Sequence, residues 1–175
     1  MTVAEKNTCL ASLENSQSLL IDSLSDVGEE LFLYKAAPDV WSIAEAIEHI
    51  ILVESAIIGN LKALGSADPQ EILEQSISND KVMELSSNHQ LKSKSLDQFL
   101  PKGIYTDKAT AIAAFGQSRH QIVHFVNTNQ LNLGAISFPH PRIGVLNGFN
   151  WLIFISGHCI KHVGQINGIK SNGAV

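Results

Sequence analysis

The sequence predicts an all-α protein, a four-helix bundle with long connecting loops, on three observations. Apolar residues recur at threes and fours along four long segments. No segment alternates apolar and polar residues as a half-buried strand would. Gly, Pro, Ser and Asn gather between the segments, where turns and breaks belong. The 175 residues suit a single domain, 1–175, large enough for a core of its own.

The first helix rests on Leu10, Leu13, Leu20, Leu24, Val27 and Leu31, with Gln17 as the one polar interruption of the stripe. Gly28 is the only glycine in it, near its end. Ala36-Ala37-Pro38-Asp39 closes the pattern, because Pro38 disfavours helix at the residue before it. The second helix starts sharply at Ser42-Ile43-Ala44-Glu45, a capping box in which hydroxyl and carboxylate each serve the other's backbone N–H. Trp41 stands just before that cap. The helix runs to about Leu64 and stops at Gly65-Ser66-Ala67-Asp68-Pro69. Ile43, Ile47, Ile50, Ile51, Val53, Ile57 and Ile58 leave little polar circumference, so this helix is buried on more than one side.

From Pro69 to Thr106 the periodicity weakens. Pro69 to Ile77 fits a short helix, then Ser, Asn and Lys dominate, and the whole reads as a long connection with helical fragments. Asp107 caps a third helix, which carries Ile112, Phe115, Ile122, Val123 and Val126 to about Asn129. A loop follows, stiffest at Phe138-Pro139-His140-Pro141-Arg142. Asn147 caps the last helix, through Trp151, Leu152, Ile155, Ile166 and Ile169 toward Gly173.

Composition narrows the function. With 45% apolar and 17% charged residues the chain buries a core and is not disordered. Its 12 basic and 17 acidic residues give a net charge of −5, which argues against nucleic acid as a partner. Cys9 and Cys159 are too few for a disulfide framework and fit a reducing compartment. Met1 to Lys6 does not open a leader. The charge-free stretch from Ile143 to Ile160 contains two Asn, a His and Gly157, too polar to span a membrane. The expectation is a cytoplasmic protein with neither membrane nor nucleic acid as partner.

Seven histidines remain to be placed. At roughly 100° per residue, with Ile155 as zero, His162 lies at about −20° and His158 at about −60°. Both therefore share the inward stripe of the last helix. One turn apart, two imidazoles can reach one metal ion. His49 lies on the second helix, with Glu45 and Val53 one turn away on either side, and a bundle core can bring it to the pair. Three ligands with one open position are the pattern of a reactive metal site. Zinc or nickel, iron or copper all suit imidazole. A buried histidine can instead be simply neutral and hydrogen-bonded, although three of them need three sets of partners. His120 and His124 form a second pair at this spacing, about 80° and 120° from the third helix's core face, and read as surface residues. His89 and His140 fall in loops, and His140, between prolines, can overhang the mouth of the site.

Two segments carry a resemblance. Trp41-Ser42-Ile43-Ala44-Glu45-Ala46-Ile47-Glu48-His49 resembles the W-S-x-x-E-x-x-x-H segment of the DinB-like superfamily, and His158-Cys159-Ile160-Lys161-His162-Val163-Gly164-Gln165-Ile166 resembles its closing H-x-x-x-H-x-x-Q-I segment. The loop at Phe138 to Arg142 and the approach through Trp151-Leu152 are similar too, so the likeness covers nearly the whole chain. It implies an up-down-down-up bundle, often a homodimer, holding a divalent metal on His49, His158 and His162. It also implies small-molecule substrates, with low-molecular-weight thiols joined to electrophiles by some members.

The position after the first histidine of the closing motif is frequently acidic in that superfamily, and here it is Cys159. Cys159 is then either a small core residue or an extra soft ligand. Glu45 has its ordinary explanation as the cap partner. Gln165, about 60° from His162, is placed to contact a ligand or orient that ring. A metal on three imidazoles can present a thiolate, giving S-transfer, or an acidified water, giving hydrolysis. Leu52, Val53, Leu152 and Ile155 offer apolar walls. The alternative is a non-catalytic helical binding or stress-response module.

Overall fold

The computed structural model describes residues 1–65, 77–91 and 94–173. The short helix expected over Pro69 to Ile77 falls almost wholly outside them. Long helices dominate: α1 (Val3–Ser23), α3 (Ile43–Gly65), α5 (Lys108–Thr128) and α6 (Gly148–Gly173). Shorter ones are α2 (Glu29–Leu33) and α4 (Asn79–Ser87), with a single 3₁₀ turn at Asp97–Phe99. Among the described residues no helix is long and apolar enough to cross a membrane.

The caps read from the sequence are made. Ser42 Oγ accepts from the Glu45 amide at 3.1 Å while Glu45 Oε2 accepts from the Ser42 amide at 2.9 Å. Asp107 accepts from the Thr110 amide at 2.7 Å, and Asn147 from the Asn150 amide at 2.8 Å. A further capping box at Thr2 and Glu5 starts α1 well before Leu10.

Two elements differ from the sequence reading. The first amphipathic stripe does not continue as one helix. It breaks after Ser23, and α2 resumes five residues beyond Leu24 to bury Phe32. Gly28, whose propensity for helix is poor, stands at the start of α2 and not at the end of α1. The loop around Phe138-Pro139-His140 is an antiparallel hairpin, β1 (Ser137–His140) with β2 (Gly144–Asn147), in the register Phe138↔Leu146 and His140↔Gly144. Strands of four residues are too short to show a period of two. Phe138 stacks on Trp151, ring centroids 4.4 Å apart, and its carbonyl accepts from Trp151 Nε1.

The long helices pack through named contacts. On α6, Cys159 lies against Ser16 of α1, and Lys170 reaches Ser23 and Asp26. On α5, Arg119 meets Glu54 of α3, Phe125 lies beneath Lys62 of α3, and Lys108 reaches Leu24 and Val27 at the far end of α1. Lys6, at the near end of α1, bonds the Asn127 carbonyl. The helix α4 lies on α6 over Gly157, where a Cβ would overlap Ser86, and His89 just beyond α4 covers Gly164 in the same way.

One polar knot crosses this core. Arg119 Nη2 lies 2.8 Å from Glu54 Oε1, both side chains being at most 1% exposed. Ser118 donates to Glu54, and Arg119 donates to Ser16. Burial pushes the Glu54 carboxyl up, against the pull of Arg119 and Ser118. Removing one member of such a pair strands a buried charge, whereas replacing both can be neutral. Arg119→Met is expected to lower the unfolding free energy by about 3–5 kcal/mol, and Glu54→Leu/Arg119→Met to recover most of it. Urea unfolding of the two variants checks this, and equal losses in both would contradict it.

Candidate metal centre

Three imidazoles from two helices meet in the interior. The capping box at Ser42 fixes where α3 begins, and Ile43, Ile47 and Ile50 bury the face that carries His49 inward. On α6, His158 and His162 sit one turn apart among Phe154, Ile155 and Val163. All three rings are less than a tenth exposed.

Their Nε2 atoms converge. His158 Nε2 lies 3.3 Å from His49 Nε2 and 3.1 Å from His162 Nε2. No other His, Cys, Asp or Glu among the described residues joins the group. The outer nitrogens explain the convergence. His49 Nδ1–H donates to the Phe99 carbonyl at 2.7 Å, and His162 Nδ1–H donates to Gln165 Oε1 at 2.8 Å. The nitrogen that carries the proton is set by the bond the other nitrogen makes. Both Nε2 atoms therefore offer lone pairs to the centre.

Burial keeps all three rings neutral. His162 is pushed down to about 3, by burial first and then by His49, with the Gln165 bond opposing. His158 falls well below its ordinary range, and His49 also falls, burial being the largest cause for each. At most one proton, on His158, can then lie among three nitrogens. His158 Nδ1 itself has no partner among the described residues. The 3.1 and 3.3 Å from His158 Nε2 to the other two, with all three donor atoms within 4.8 Å of one another, suit an ion held by imidazoles at about 2.0–2.1 Å. The donors present fit a divalent metal.

Aromatic rings wall the cluster. Trp41 lies 4.7 Å from His49 between centroids, and Phe154 stacks on His158 at 5.4 Å. The hairpin brings His140 to 4.8 Å from Phe154, and its Nδ1 accepts the amides of Arg142 and Ile143. Burial beside Lys161 and Arg142 pushes His140 down to about 4.

The remaining expected residues are placed as follows. Cys159 is a core residue: its side chain is fully buried, its thiol faces the Ser16 carbonyl at 3.5 Å, and burial pushes it up to about 12. Glu45 serves the cap and pairs with Lys35 at 2.7 Å. Gln165 holds His162. His120, His124 and His89 are exposed. Lys161 is half-buried. The sequence reading missed Glu48, buried next to His49 and bonded to three backbone amides, and missed the Phe99 carbonyl. A glutamate amid isoleucines on a buried helix was the available signal for the first. A backbone acceptor leaves no mark in a sequence.

A helical protein with a buried cluster of three imidazoles, two of them oriented by fixed outer partners, is the class that fold and site define. The chain belongs to the DinB superfamily, whose family profile matches residues 12–166. No curated protein and no solved structure matches it.

The depressed imidazoles make a stability statement. Folded values below the ordinary 6.5 mean that the unfolded chain binds more protons, so stability falls as the medium is acidified. For the metal-free protein the decline should open near pH 6.5 and continue toward the folded values of about 4 for His140 and about 3 for His162. Urea midpoints taken from pH 7.5 to pH 4 (about six values suffice) should fall steadily in wild type and more gently in His162→Gln. A midpoint that rises below pH 6.5 would contradict the assignment.

Proposed function

We propose that the chain is a divalent-metal-dependent enzyme that holds its ion on His49, His158 and His162 and acts on a small electrophilic substrate. S-transfer from a low-molecular-weight thiol is favoured over hydrolysis. The observation that carries the reading is the convergence of three neutral imidazoles, His158 Nε2 standing 3.1–3.3 Å from the Nε2 atoms of His49 and His162, with two of the outer nitrogens already engaged. Membership in the DinB superfamily supports it. Zinc or nickel fits three nitrogen donors, and iron or copper is compatible with them.

A bound divalent ion would lower the pKa of a thiol or water in its remaining position, supplying a nucleophile near neutral pH. The chain's own residues supply the setting. Phe99 and Gln165 hold two rings in the tautomer that points Nε2 inward. Trp41 lies against His49 and Phe154 stacks on His158, which restricts how these two rings can turn. No carboxylate joins the three rings among the described residues. Cys159, where the superfamily often has an acid, turns into the core against Ser16, so it would not serve as a proton acceptor beside the three rings.

The same reading takes the chain as one domain, an up-down-down-up four-helix bundle. Cys159 beside Ser16 with Lys170 beside Ser23 supports α1 and α6 running the same way. Glu54 beside Arg119 with Lys62 over Phe125 supports the same for α3 and α5. Lys6 at Asn127 and Lys108 at Val27 oppose α1 to α5. A cytoplasmic homodimer without nucleic-acid or membrane partners completes the proposal.

Metal analysis of protein purified without chelators or immobilised metal should find about one ion per chain. His49→Ala and His162→Ala should fall close to zero while remaining folded. A thiol-and-electrophile screen on the loaded protein should then yield adducts. Metal bound tightly without turnover of any thiol or ester would instead favour a binding module, and wild type free of metal would overturn the proposal.

A further inference from the structure

The carboxylate of Glu48 is 3% exposed, and it is not left alone there. Its two oxygens accept three consecutive amides, from Lys102 at 2.8 Å, Gly103 at 2.9 Å and Ile104 at 3.1 Å. A buried carboxylate is costly unless bonded, and bonds from N–H groups to an ionised acceptor are among the stronger ones. Three successive amides can converge on one group only if the backbone curls. Gly103, at φ +71°, provides the curl without a Cβ penalty.

The next residue on the same helix, His49, donates to the carbonyl of Phe99 in the same segment. One strap of chain, residues 97–104, is therefore tied to α3 at two adjacent positions. Glu48 gathers the amides and His49 holds a carbonyl. Between the two ties lie Leu100 and Pro101, the latter with its φ fixed by the ring. Loosening the amide tie lets the carbonyl drift from Nδ1.

We propose that Glu48 is a positioning residue of the three-histidine centre: by clamping the amides of residues 102–104 it keeps the Phe99 carbonyl on His49 Nδ1, and so keeps His49 Nε2 unprotonated and turned toward His158 and His162. This rests on the reading of His49 as a metal ligand only for its functional meaning, since the tautomer exists without metal. His162 depends on Gln165 from its own helix and provides an internal control.

Two variants approach the clamp from opposite sides. Glu48→Gln keeps the shape but puts an NH₂ group against amides. Gly103→Ala meets open space but strains the backbone at positive φ. Long-range ¹H–¹⁵N spectra of the imidazoles, recorded on metal-free protein, should show His49 as the Nδ1–H tautomer in wild type. In both variants a substantial Nε2–H population should appear at His49, with His162 unchanged. Zinc, used as the probe, should bind both variants about 10–100-fold more weakly than wild type. If Glu48→Gln does not fold, Gly103→Ala decides. His49 spectra identical to wild type in a folded variant would overturn the proposal, as would unaltered zinc affinity. If wild type binds no zinc while the variants still shift His49 alone, the positioning role stands and the metal reading falls.

Discussion

Everything distinctive in this molecule follows from forcing three imidazole nitrogens to face one another in the buried interior. Neutral rings in that position present lone pairs to lone pairs, with a single proton at most to share. The chain nevertheless holds them there, His158 Nε2 within 3.1–3.3 Å of the other two, inside an apolar setting. A cation satisfies such an arrangement better than any side chain within reach. The three acids of α3 are committed elsewhere, Glu45 to a helix cap, Glu48 to a loop and Glu54 to Arg119.

Much of the surrounding structure can be understood as keeping those nitrogens from turning away. The outer nitrogen of His162 is held by a residue one turn along the same helix, a local tie that survives distortion of distant parts. That of His49 is held by a main-chain carbonyl fifty residues away, a tie only as firm as the strap supplying it. The buried Glu54–Arg119 pair lies deeper along α3 and α5, where it links α1, α3 and α5 through Ser16, Glu54 and Ser118. Such a pair adds little net stability. Its geometry instead fixes the register of α1, α3 and α5 against one another.

The sequence disclosed those features whose cause is local. The Ser42-Glu45 box, Asp107 and Asn147 mark helix starts because capping involves residues three apart. His158 and His162 share a face because 3.6 residues make a turn, and Gln165 follows from the same arithmetic. The exposed pair His120 and His124 was separable from the buried pair on angle alone. What stayed hidden is what tertiary contact decides. The break after Ser23 leaves the apolar stripe uninterrupted, since Leu24 and Val27 stay buried in the turn that follows. The hairpin at 137–147 is fixed by Phe138 on Trp151 more than by strand propensity. Glu48 was passed over because only the fold brings residues 102–104 to its carboxylate.

The most direct test is anomalous diffraction from crystals of the untreated protein, measured on both sides of the absorption edges of zinc, nickel, iron and copper. One peak between the Nε2 atoms of His49, His158 and His162, with an edge that names the element, is the expected result. Crystals in which those three rings meet without an anomalous peak, or in which His49 lies apart from the other two, would contradict the account.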